Sequence, residues 1–230
     1  MAQNFIDATN MLKIINANKQ LTNDTYSEQN ADILAQTIWD TIKPYINDNL
    51  SVYQQWDKQN YSRRKKFVSD ILKLLLEKFP NDNKTIPQPQ IHFQEEIKPI
   101  WPKNIPMPSA LFYSPELNPW ANDMVKKATG STKPFFAFFH DLSAHGVLGQ
   151  IIHEFTHYLQ SIGKSSLSPD VVKQAAEYYK YYYADKNNKQ IYEDSVHEKE
   201  AREVSKYITA QVKQLCMFYN NMLHQPSHDI

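Results

Sequence analysis

Eight of the chain's 13 prolines fall between Pro87 and Pro119, and no other feature limits the fold so tightly. Proline fixes φ and lacks an amide proton, so it breaks helix interiors and leaves gaps in sheet ladders. The stretch from Pro87 to Pro134 therefore reads as short strands joined by irregular loops. Candidate strands are Gln90–Ile97, Ala110–Tyr113 and Phe135–Phe139 (FFAFF). The aromatics of the last fall on both faces, which predicts a strand covered on both sides.

The flanking sequence has helical periodicity. A short helix is expected around Phe5–Ile15. A second covers Ala31–Tyr45, with Ile33, Leu34, Ile38, Trp39 and Ile42 at helical spacing. A third, Tyr61–Phe79, has Phe67, Val68, Ile71, Leu74, Leu75 and Phe79 on its apolar face and ends at Pro80. Beyond the proline-rich zone, helices are expected at Val147–Ile162, from Ser168-Pro169-Asp170 to about Ala184, and from about Val196 to Leu223. Serine as N-cap followed by proline at the first helical position is a strong helix start. The expected fold is α+β, mainly helical, with a small mostly antiparallel sheet packed on the Val147–Ile162 helix. Residues 1–80 are expected to form an N-terminal helical extension or cap, and residues 81–230 the core.

Net charge is +0 over 230 residues and the pI is near 7.1, so no basic excess points to nucleic acid. The run Arg63–Lys66 (RRKK) reads as the solvated face of a helix. Cys216 is the single cysteine, which rules out a disulfide within one chain and favours a reducing compartment. It reads as a core residue beside Leu215. The opening MAQNFIDATNM lacks the pattern of a secretory signal, and no stretch has the roughly 18 apolar residues of a membrane span. A cytoplasmic location is the default expectation, with export by a non-classical route left open.

The segment IIHEFTHYLQ (Ile151–Gln160) carries the chemistry. His153-Glu154-Phe155-Thr156-His157 fits H-E-x-x-H. On a helix, residues four apart project from one face, so both imidazoles can bind one Zn2+, and the glutamate can act as general base on a metal-bound water. Leu148, Ile151, Ile152, Phe155, Leu159 and Ile162 share one apolar sector. Gln150, His153, Glu154, His157 and Ser161 lie opposite, with no lysine before Lys164. An ordinary solvated face would carry lysine and glutamate. Gly146, Gly149 and Gly163 bracket this helix. Gly163 suits a C-cap, and Gly149 suggests close packing against the sheet.

A catalytic zinc needs about three protein ligands and an open position. The third histidine of the metzincin pattern would fall at residue 163, which is Gly163, so that class is excluded. Candidates for the third ligand lie in YEDSVHEKEAREVSKY (Tyr192–Tyr207): Glu198, Glu200 and His197. Glu198 and Glu200 flank the apolar stripe Ala201, Val204, Ile208, Val212, Leu215 and Tyr219 at similar angles, so periodicity does not choose between them. Ser195-x-x-Glu198 also fits a capping box, which would turn the carboxylate back to the Ser195 amide.

Glu198-Lys199-Glu200-Ala201 resembles the E-x-E-A signature of the gluzincin metallopeptidases, and the resemblance covers mainly Phe135–Lys206. It implies a zincin-like core, Glu198 as the third zinc ligand, and peptide-bond hydrolysis with Glu154 as general base. The position four residues after Glu198, an acid or amide in many members, is Arg202 here. It also implies a protein or peptide substrate, added as a strand along a sheet edge, for which Phe135–Phe139 is the candidate. Tyr192 is a candidate oxyanion donor. His140 and His145 read as local hydrogen-bonding residues, His92, His224 and His228 show no ligand spacing, and the aromatic run Tyr178–Asp185 reads as helix packing. Two other classes stand beside the peptidase: a zinc-binding regulatory or interaction protein without activity, and a helical interaction domain without metal.

Overall fold

The computed structural model describes residues 8–82, 87–97, 109–115, 117–118, 121–138, 144–184 and 194–223. The described residues are mainly helical, with one small sheet, an α+β arrangement. The N-terminal part supplies α1 (Ala8–Thr25), α2 (Glu28–Asp48), α3 (Leu50–Gln54) and α4 (Tyr61–Lys78), with a 3-10 turn at Trp56–Lys58. The middle supplies β1 (Gln90–Phe93), α5 (Gln94–Ile97), β2 (Ala110–Tyr113), α6 (Asn122–Thr129) and β3 (Phe135–Phe138). The last part supplies α7 (Ala144–Ser161), α8 (Pro169–Ala184) and α9 (Val196–Leu223).

Local chemistry explains several helix boundaries. Ser27 caps α2 by accepting the Asn30 N–H at 3.4 Å, and Asn60 caps α4 by accepting the Arg63 N–H at 2.9 Å. Ser168 accepts the Val171 N–H at 3.4 Å and opens α8 with Pro169 at its first position. Gly163 takes φ +69° just past α7, where the Lys164 N–H reaches the Leu159 carbonyl at 2.8 Å. Helix α2 runs through Pro44, at a cost of about 3 kcal/mol for a proline in a helix interior. It survives there because Ile42 and Ile46, on either side, are fully buried, and Pro44 itself is exposed.

Two elements of the proline-rich zone differ from expectation. The strand expected over Gln90–Ile97 stops at Phe93 and turns into α5. There Glu96 accepts the Phe93 N–H at 3.3 Å, while Glu95 meets Tyr61 and Lys65 of α4. A helix, α6, stands where loops were expected, and Gly130 at φ +72° ends it.

The sheet order is β1-β3-β2, with β1 parallel and β2 antiparallel to β3. All four residues of β3 are buried. Phe136 and Phe138 join the main core, while Phe135 and Ala137 pack with Tyr113, Ala121 and Val125 beneath α6. Phe139 lies outside the described residues. Because β3 is central, its backbone groups are committed to β1 and β2. It cannot receive a substrate strand, which corrects the expectation placed on Phe135–Phe139.

One buried cluster joins α2, α3 and α4 to the sheet, to Leu148, Ile151, Ile152, Phe155 and Leu159 of α7, and to Val204, Ile208 and Val212 of α9. The apolar face of α7 is thus held by the N-terminal helices, where Phe79 meets Phe155 edge to face at 5.8 Å. Cys216 is half-buried at the margin of this cluster. Gly149 faces α9, not the sheet: a Cβ there would lie 3.4 Å from Thr209 Oγ1. No helix among the described residues is long and apolar enough to cross a membrane.

Candidate metal centre

The polar face of α7 is largely covered. Glu154 and His157 are each 9% exposed and Gln160 only 2%. What covers this face is the first turn of α9 and the strand β2. Helix α9 crosses α7 with Ala201, Val204, Ile208 and Val212 fully buried, and Thr209 lies beside Gly149. That crossing carries Glu198 to the two histidines. The segment before it is tied to α1, whose Thr22 hydroxyl donates to the Asp194 carbonyl at 2.9 Å.

The geometry has the form of a ligand set. Nε2 of His153 and Nε2 of His157 stand 3.2 Å apart. Glu198 places Oε2 at 3.3 Å from His153 Nε2 and Oε1 at 3.2 Å from His157 Nε2. Ligands bonded at about 2.0–2.1 Å to a tetrahedral ion lie about 3.3–3.4 Å from one another, close to the separation of the two imidazole nitrogens, and each imidazole has a different Glu198 oxygen at a similar distance. Oε2 of Glu198 is buried without a hydrogen bond, as expected of an atom reserved for a cation. The three side chains form the one cluster among the described residues that could hold a metal ion. His153 is its most open member, with 18% of its side chain exposed against 2% for Glu198.

The other two third-ligand candidates have different work. Glu200 is fully buried. Its Oε2 accepts from Gln160 Nε2 at 2.8 Å, and its Oε1 accepts from the Ser166 N–H at 2.8 Å and from the Ser166 hydroxyl. His197 pairs through Nδ1 with Ser195 Oγ at 2.8 Å, and its Nε2 is 3.9 Å from Glu198 Oε1. The capping-box alternative for Glu198 does not hold, because its carboxylate lies between the imidazoles and not on the Ser195 amide. Glu154 accepts the Phe112 N–H of β2 through Oε2 at 2.6 Å. Tyr192, His140, His224 and His228 lie outside the described residues. His92 is not part of this set and pairs with Glu96. Neither Gln160 nor Phe112 stood out in the sequence as part of the site. For Gln160 the available signal was its place three residues after His157, on the same helix face.

Electrostatics follow from the burial. Burial opposes a charge on His157, but the Glu198 carboxylate, helped by Glu154 and Gln160, outweighs it and pushes the imidazole up to about 9. Burial would raise the Glu198 carboxyl, yet the two imidazoles hold it well below the usual carboxylate range. Burial dominates at His197 and drives it down to about 3, so it stays neutral.

These shifts set a pH dependence. In metal-free protein the extra proton on His157 stabilises the fold fully below its ordinary 6.5, and that contribution is lost as pH rises through about 9. A cation must displace this proton. Metal uptake at pH 7.5 is therefore expected to release about one proton per ion, seen calorimetrically as a binding enthalpy that tracks the buffer's ionisation enthalpy. An enthalpy independent of buffer would mean that His157 is already neutral.

Fold and site together define a mainly helical α+β protein with a buried His-His-Glu group able to hold a metal ion. No protein family, no curated protein and no solved structure matches the chain.

Proposed function

We propose that the protein is a zinc-dependent metallopeptidase of gluzincin type, with His153, His157 and Glu198 as the zinc ligands and Glu154 as general base. The convergence of the H-E-x-x-H helix and a glutamate from a separate helix, with its carboxylate against both imidazoles, carries this reading. A two-histidine, one-carboxylate set suits Zn2+, and three protein ligands without a fourth among the described residues suit a catalytic more than a structural ion.

When bound, Zn2+ would polarise the scissile carbonyl and acidify a water molecule. Glu154 would take the proton of that water and deliver it to the leaving amine. The Phe112 N–H holds one of its oxygens, so the base is oriented before substrate arrives. Phe112 stands opposite Phe136 in the ladder, yet its N–H turns away from β3 toward Glu154. The outer edge of β2 thus runs past the general base, and an extended peptide would add there. No step is assigned to Tyr192.

The test is incubation of zinc-loaded and chelated wild type with a peptide library, read by mass spectrometry. Zinc-dependent cleavage at recurring positions supports the reading. Intact peptides and intact unfolded proteins beside zinc-loaded enzyme would move it to a zinc-binding regulatory or interaction protein.

A further inference from the structure

The side-chain amide of Gln160 has a single chemically sensible orientation. Its Nε2 donates to the His197 carbonyl at 2.9 Å and to Glu200 Oε2 at 2.8 Å. Its Oε1 lies 2.8 Å from His157 Nδ1. A carbonyl and a carboxylate only accept, so the reversed amide would set oxygen against two acceptors. Glu200 cannot turn away, because the Ser166 N–H and hydroxyl occupy its other oxygen. With Oε1 forced onto His157, Nδ1 must keep its proton, so the proton that a cation displaces is the one on Nε2, which faces His153 and Glu198.

We propose that Gln160 and Glu200 are positioning residues that set the tautomer of His157 for metal binding, and that Ser166 anchors them through the loop between α7 and α8. This rests on the zinc-site reading but not on peptide hydrolysis. It also gives Gln160 a reason to be glutamine: leucine would remove the acceptor, and glutamate would face the Glu200 carboxylate.

Glu200→Gln tests the idea with almost no change in shape. The introduced amide keeps its oxygen on the two Ser166 donors and turns its NH2 toward Gln160. Gln160 then either stays, with two NH2 groups opposed, or reverses, which presents its own NH2 to Nδ1, favours the His157 proton on Nε2 and sets its oxygen against the His197 carbonyl; in both cases the acceptor at Nδ1 is weakened or lost. Zn2+ affinity, measured at pH 7.5 in competition with a chromophoric chelator, should fall about 10–100-fold, the usual effect of losing a ligand's hydrogen-bonding support. The double variant Gln160→Glu with Glu200→Gln restores an acceptor beside Nδ1 and a donor behind it, and leaves only the His197 carbonyl without its donor. It should return to within about tenfold of wild type. The melting temperature of each metal-free variant reports folding separately.

Wild-type affinity in Glu200→Gln overturns the proposal. So does equal weakening of the single and double variants in step with their metal-free melting temperatures, which marks a purely structural network. A wild type that binds Zn2+ but cleaves no peptide removes the peptidase reading alone, and the affinity ratio still decides this one.

Discussion

Replacing Glu154 by glutamine is expected to slow peptide hydrolysis by about 10²–10⁴-fold, the range attributed to a general base, and to leave bound zinc at the wild-type level. The two effects separate because Glu154 is not among the three converging ligand side chains. Glutamine keeps the shape and an acceptor oxygen, so the Phe112 N–H retains its partner and β2 stays in place. What is lost is the ability to take a proton. The measurement is kcat/KM on a cleaved library peptide together with metal content by mass spectrometry. Full activity in the variant would exclude Glu154 as the base. Loss of zinc alongside activity would make it a ligand or a structural support.

Zinc should also be a large part of the stability of the folded chain. A ligand present at 1,000 times its Kd and bound only by the native state adds about 4 kcal/mol. In a chain of this size each kcal/mol moves the melting temperature by about 2–4 °C, so saturating Zn2+ should raise Tm by roughly 8–16 °C. Glu198→Gln should abolish that rise. The change preserves volume in a fully packed position but replaces the one carboxylate of the ligand set with a neutral amide, a poor partner for the cation. Scanning calorimetry of both proteins with zinc and with chelator gives the answer directly. A zinc-dependent rise that persists in the variant would show that the ion sits elsewhere.

Much of this architecture can be read from local chemistry. Ser168-Pro169 favours a helix start, because the serine caps orphan amides and the proline lacks the one it would waste. The apolar stripe from Ile151 to Leu159 had to be buried, and it packs in the main core. The α6 helix escaped attention because prolines on either side dominate that zone, and its last turn needed Gly130 in a left-handed conformation to close. The expected role of Gly149 named the wrong neighbour. A glycine names no neighbour, and only the crossing of α7 and α9 shows that Thr209 lies beside it.

The sequence by itself determined that His153, Glu154 and His157 share one helical face, since a period of 3.6 residues leaves them no alternative. It also determined that a glutamate-bearing helix follows. It did not choose between Glu198 and Glu200, because both flank the buried stripe of α9 at similar angles. Tertiary structure decided that: α9 lies across α7 so that one flank turns Glu198 onto the histidines and the other turns Glu200 onto Gln160 and Ser166. It also made β3 central and left the edge of β2 beside Glu154. Strand order and helix crossing are set by how distant apolar faces fit together, and no window of neighbouring residues contains that information.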